Sequence, residues 1–110
     1  MAIPENDNIK KILCCTGAVV QKSAENEIDA TEAADYVTAC QDIIGAVEYR
    51  INQDIPRPDP GDDESITVLL FSGAVADAMG RLAGMEAEFG AVYQPEIDAF
   101  ASAADAVVAG

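Results

Sequence analysis

The residues that could do chemistry in this sequence are few, and their spacing points away from catalysis. Cys14 and Cys15 are adjacent and Cys40 stands apart, with no CxxC pair. A bridge between neighbouring cysteines is strained, so reduced, packed thiols in a reducing compartment are expected. The competing reading is a reactive thiol, its pKa lowered by Lys10 and Lys11 one turn away, or a bridge from Cys40 to the first helix. Two carboxylate pairs, Asp35 with Asp42 and Glu86 with Glu88, are the candidates for acid and base. The first pair falls two turns apart on the outward side of a helix and the second diverges, so both read as solvated charges. Asp59, Asp62, Asp63 and Glu64 offer hard oxygens of the kind calcium takes. They lack EF-hand spacing, and three of them crowd a helix start, where acidic side chains complement the helix dipole.

What is missing excludes more. The chain has no histidine, which removes Ser-His-Asp and Cys-His catalysis, HExxH zinc sites and Glu-x-x-His di-iron sites. There is no GxGxxG or GxxxxGK[ST] run to cradle phosphate, and the six bases are dispersed. The expectation is a non-enzyme with no cofactor and no metal. The formal net charge of -14 disfavours nucleic acid and anionic membranes, which need cations to displace their counterions. It favours a basic protein partner, or serves only solubility or a salty habitat. No base interrupts the stretch from Lys22 to Arg50, so Glu32, Asp35, Asp42 and Glu48 form the expected acidic partner surface. The start, Met-Ala-Ile-Pro-Glu-Asn-Asp, has neither a basic nor an apolar signal region; a cytoplasmic or virion location is expected.

In the elements that carry these residues, apolar spacing is helical nearly throughout. A first helix over residues 7–22 presents Ile9, Ile12, Leu13, Thr16, Val19 and Val20, with Gly17 as a candidate close crossing point. Asp29-Ala-Thr-Glu32 resembles a capping box and opens a second helix to about Asn52. Its seam is Ala33, Val37, Cys40, Ile44, Val47 and Ile51, widened by Tyr36 and Ile43, with Asp35, Asp42 and Glu48 facing away. Ile55-Pro-Arg-Pro-Asp-Pro60-Gly61 cannot be helical and reads as a stiff, extended loop between two long antiparallel helices. The third helix, residues 63–90, has the seam Val68, Phe71, Val75, Ala78, Leu82, Met85 and Phe89. The fourth begins at Pro95 and presents Ile97, Phe100, Ala101, Ala104, Val107 and Val108. The fold class is therefore all-α: one domain over residues 1–110, a small bundle of about four helices with two long central helices joined by a Pro-rich loop.

The third helix is more apolar than an outer helix of a small bundle requires. Between Ile66 and Phe71 only Thr67 is polar, and Ala76, Gly80 and Gly84 form a small-residue stripe beside the seam. Three readings follow: it is the central helix of the monomer, it buries a second face against another subunit, or it crosses a membrane. Asp77 and Arg81, spaced for an exposed ion pair, speak against the last. The expected interface is Ile66, Leu69, Leu70, Ala76 and Gly80.

Met85-Glu-Ala-Glu-Phe-Gly90 resembles a short stretch of the acyl carrier proteins, but no Asp-Ser-Leu prosthetic-group motif stands at a fitting distance upstream. Glu64-Ser65-Ile66 is too far from Phe89, and that family is not adopted. The layout, a helix ending near Tyr49-Arg50, a Pro-rich loop and an apolar helix ending near Arg81-Leu82, resembles the small helical head–tail connector proteins of tailed phages; no residue role carries over. The functional expectation is a non-enzymatic structural or assembly subunit acting by protein–protein association, as a homo-oligomer or an accessory part of an assembly such as a virion. The alternative is an acidic inhibitor or immunity-type protein bound to a basic partner.

Overall fold

A computed structural model describes residues 7–25, 27–59, 63–85 and 93–109. It contains four helices: α1 (Asp7–Glu25), α2 (Ala30–Ile51), α3 (Glu64–Met85) and α4 (Gln94–Ala109). No strand occurs among the described residues. Glu86, Glu88, Phe89 and Asp62 lie outside them, as does the side chain of Met85.

Local chemistry sets the helix ends. Asp29 caps α2 from an extended backbone, and its Oδ1 accepts from the amides of Thr31 (2.9 Å) and Glu32 (3.1 Å). Ile28, buried just before the cap, and Ala33, buried in the first turns, occupy the two positions of a hydrophobic staple. Asn52 ends α2 in the left-handed region at φ 54°, which asparagine tolerates better than most residues. Asp63 does for α3 what Asp29 does for α2, accepting from the amides of Ser65 (2.8 Å) and Ile66 (3.2 Å). The carboxylate crowd at the start of α3 thus supplies a cap. α1 continues through Glu25, three residues past its expected end.

Around the bundle the helices stand in the order α1, α3, α2, α4, so that α1 and α2, and α3 and α4, lie across the diagonals. Their directions follow from short connections and contacts. Residues 26–29 span at most ~14 Å, so α2 starts at the end of the bundle where α1 stops. α3 starts there too, because Ser65, Ile66 and Leu69 share a groove with Val20, Ser23 and Ala24 of α1. α2 and α3 are therefore parallel, and both oppose α1. α4 runs with α1: Lys11 donates to Asp98 at 3.4 Å near their N-terminal ends, and Val108 borders Ala18, Lys22 and Glu25 near their C-terminal ends.

The expected antiparallel pairing across the Pro-rich segment does not form. A link between parallel helices must return along the bundle. α2 is roughly 33 Å long, and an extended link of about twelve residues reaches ~40 Å. Pro56 and Pro58 hold residues 53–59 extended, and these run back beside α2 as a strap. Ile55 is 2% exposed. Its amide donates to Glu48 Oε2 at 2.6 Å, and Arg57 donates to the same oxygen at 2.5 Å. The Arg57 guanidinium lies over Gly45, 4.0 Å from where a Cβ would sit. Arg81, near the end of α3, donates to the Asp54 carbonyl at 3.4 Å. Glu48, expected to face outward, is instead the strap's anchor.

The core is wider than a heptad seam. On α2 it takes Tyr36, Ala39 and Ile43 fully along with Cys40, Ile44 and Val47, while Val37 is only partly covered. On α3, Val68, Phe71, Val75, Ala78 and Leu82 are buried as expected, joined by Ser72 and Met79. At the centre the Tyr36 ring meets Phe100 at 5.5 Å between centroids, tilted by 41°. The Tyr36 hydroxyl shares a 2.7 Å hydrogen bond with Ser72. Leu13 and Val108, read as core-facing, are 39% and 40% exposed. Each lies at the edge of its helix's apolar stripe.

Candidate interaction surface

α3 has two faces of different character. One is in the core. On the opposite side Ile66, Leu69 and Leu70 are 54%, 46% and 43% exposed, and Gly73, Ala76, Gly80 and Gly84 are exposed after them. At about 100° per residue, Ile66, Leu69, Gly73, Ala76, Gly80 and Gly84 fall within a stripe about 80° wide, with Leu70 on its flank. A Cβ built on Gly73, Gly80 or Gly84 would meet nothing within 4 Å. The stripe is therefore bulky where α3 begins and flat where it ends. Its bulky end opens into the apolar groove of about 160 Å³ shared with Val20, Ser23 and Ala24. Asp77 and Arg81 flank the flat part and pair with each other at 3.1 Å.

All five residues expected at an interface, Ile66, Leu69, Leu70, Ala76 and Gly80, lie on this exposed side. The small-residue stripe does not bring helices of the monomer together. Gly17, expected at a close crossing, also has nothing within 4 Å of a built Cβ. α3 passes the length and composition criteria for a membrane span over Glu64–Gly84, with a mean hydropathy of 1.4. That apolarity is the sum of a core face and an exposed face on one helix.

No protein family, curated protein or solved structure matches this chain.

The four acidic candidates are not one surface. Asp35 and Asp42 are exposed on the outward side of α2. Glu32 is half-buried, and at 100° per residue it sits about 60–80° from them on one flank. Glu48 lies on the other flank, tied to the strap. Its carboxyl is held below the usual glutamate range by the Arg57 hydrogen bond first and the Ile55 amide second. Asp98 is likewise lowered, chiefly by the Gln94 side-chain amide at 2.9 Å. Among the described residues no three Cys, Asp or Glu side chains gather as metal ligands would.

The cysteines divide by depth: Cys14 is exposed, Cys15 half-buried and Cys40 buried, all as free thiols. Burial pushes the Cys40 thiol up to about 12, with the Tyr36 hydrogen bond pulling weakly the other way. Burial, then the Asp105 carboxylate, also raises Cys15. A thiol-reactive dye at pH 8 is thus expected to label Cys14 rapidly and Cys40 only at the rate of unfolding, because the thiolate is the nucleophile. Mass mapping of labelled peptides over time checks this; early labelling of Cys40 would contradict its burial.

Sequence reasoning missed three features. Tyr49 is 84% exposed, which periodicity hinted at by placing it opposite the seam. The strap anchor could be sought as an acid one or two turns before a Pro-Arg-Pro run. The Tyr36–Ser72 pair has no sequence signal, since it joins helices whose relative direction is a tertiary property.

Proposed function

We propose that this chain is a non-enzymatic helical subunit that acts by protein–protein association through the outer face of α3, as a homo-oligomer or as an accessory part of a larger assembly such as a virion. One observation supports this most: three large aliphatic side chains, each 43–54% exposed, stand together on the most apolar helix of the chain, Ile66 and Leu69 in line with an open run of small residues and Leu70 on its flank. A contiguous apolar patch rimmed by polar residues marks interaction sites on soluble proteins. Capping of a basic partner through Glu32, Asp35, Asp42 and Glu48 draws less support, because only Asp35 and Asp42 share an outward face and Glu48 is engaged with Arg57.

Light scattering at low salt and at about 1 M salt, where charge–charge effects are largely screened, tests the proposal. An assembly held by apolar contact persists at both. Leu70→Glu is expected to keep the helical circular-dichroism signal, since the site is exposed, and to abolish association. A wild type that is monomeric at both salts, together with a Leu70→Glu variant that unfolds, would overturn it: the face would then serve the monomer.

A further inference from the structure

The α3 face has an asymmetry along its length that charge repeats. Its bulky end (Ile66, Leu69, Leu70) lies at the end of the bundle where α1 stops and α2 begins. That end is strongly acidic: Glu25, Glu27, Asp29, Glu32, Asp63 and Glu64 crowd it, and Lys22 is the one base there among the described residues. The flat end (Gly80, Gly84) lies in the half that carries Lys10, Lys11, Arg50, Arg57 and Arg81, set among the described residues against Asp7, Asp42, Glu48, Asp54, Asp77, Glu96 and Asp98, so that this half is less acidic than the other. The stripe itself is close to neutral, because its flanking charges, Asp77 and Arg81, pair with each other.

We infer that the occupant of this face is a second copy of the chain, docked antiparallel, α3 against α3. This rests on the association reading above and names its partner and geometry. Shape requires the orientation. Ile66 of one copy opposite Gly84 of the other, Leu69 opposite Gly80, and Gly73 opposite Ala76 share one centre, between Gly73 and Ala76. A single two-fold axis there sets Ile66 and Leu69 of each copy over a flat, open stretch of the other's helix, twice over, as an isologous interface demands. A parallel pairing would set leucine on leucine at one end and leave glycines facing glycines at the other. Charge requires the same orientation. Two copies of a chain with net charge -14 repel least when the acidic end of one lies beside the base-bearing half of the other. A basic partner, by contrast, finds no unpaired carboxylate on the stripe among the described residues.

The test is a complementation pair, Leu69→Glu and Gly80→Lys. Both sites are exposed and Gly80 has room for a side chain, so circular dichroism should report intact helices. In an antiparallel dimer each variant alone buries two unpaired charges, and the dimer dissociation constant should rise roughly a hundredfold or more. Mixing the two variants sets the new carboxylate against the new ammonium at one site and leaves the native Leu69–Gly80 contact at the other. Sedimentation equilibrium should then show a heterodimer where neither variant self-associates. If both variants lose the dimer and mixing does not restore it, the antiparallel register is wrong while association through α3 stands. A wild type that stays monomeric at millimolar concentration overturns the second copy as occupant and leaves the face to a different protein. A dimer that Leu69→Glu leaves untouched overturns the inference and the association reading together.

Discussion

Tyr36→Ala is expected to lower the free energy of unfolding by about 3–5 kcal/mol, a large share of what a domain of this size possesses. Tyr36 is fully buried and joins three helices: its ring on α2 meets Phe100 of α4, and its hydroxyl meets Ser72 of α3. Truncation removes the ring's burial and leaves a cavity in a core that has few aromatics to refill it, the chain having three tyrosines, three phenylalanines and no tryptophan. It also strands the Ser72 hydroxyl, 1% exposed. The polar part can be separated. Tyr36→Phe keeps the ring and loses the bond, which should cost about 1–2 kcal/mol. Adding Ser72→Ala should recover part of that, because no buried polar atom is then left without a partner. Urea denaturation of the four proteins decides it. A Tyr36→Ala loss below about 1 kcal/mol would mean that the three helices do not meet there.

The second large effect is expected in a segment that would ordinarily tolerate change. Loops are exposed and accept substitution, yet Ile55→Ala should cost about 2–4 kcal/mol, because Ile55 is as buried as the bundle core. The strap links two parallel helices and packs along the way, so its loss loosens both α2 and α3. Glu48→Gln tests the anchor through pH. The Glu48 carboxyl is lowered in the folded protein. Its contribution is therefore present in full above the ordinary carboxylate pKa and is lost as pH falls through the folded value. The melting temperatures of wild type and Glu48→Gln should differ at pH 7, and the gap should shrink as pH falls below the ordinary glutamate range. A gap that stays constant between pH 7 and pH 3 would show that Glu48 does not hold the strap through its charge.

The two predictions separate what is readable along the chain from what is not. Helices are local objects, and their signals are local: the cap at Asp29, the proline run after Ile55 and the apolar spacing of Val68, Phe71, Val75, Ala78 and Leu82 act within a few turns. For that reason the all-α class, the four elements, the Pro-rich link and most of the core were legible. The surplus apolar face of α3 was legible too, as apolar residues at positions that one core face cannot use. Stripe edges were not: Leu13 and Val108 sit where a small change in helix rotation decides between core and solvent.

By itself the sequence determined four helices, their buried stripes, the absence of histidine chemistry and an apolar excess on α3. Only the tertiary structure decided that α2 and α3 run parallel, that Glu48 faces a strap and that the excess on α3 looks outward. The physical reason is that composition and periodicity set what each helix must bury, whereas direction and rotation depend on connection lengths and on packing between residues far apart in the chain. The acidic end and the flat end of the α3 face exist only once those directions are set.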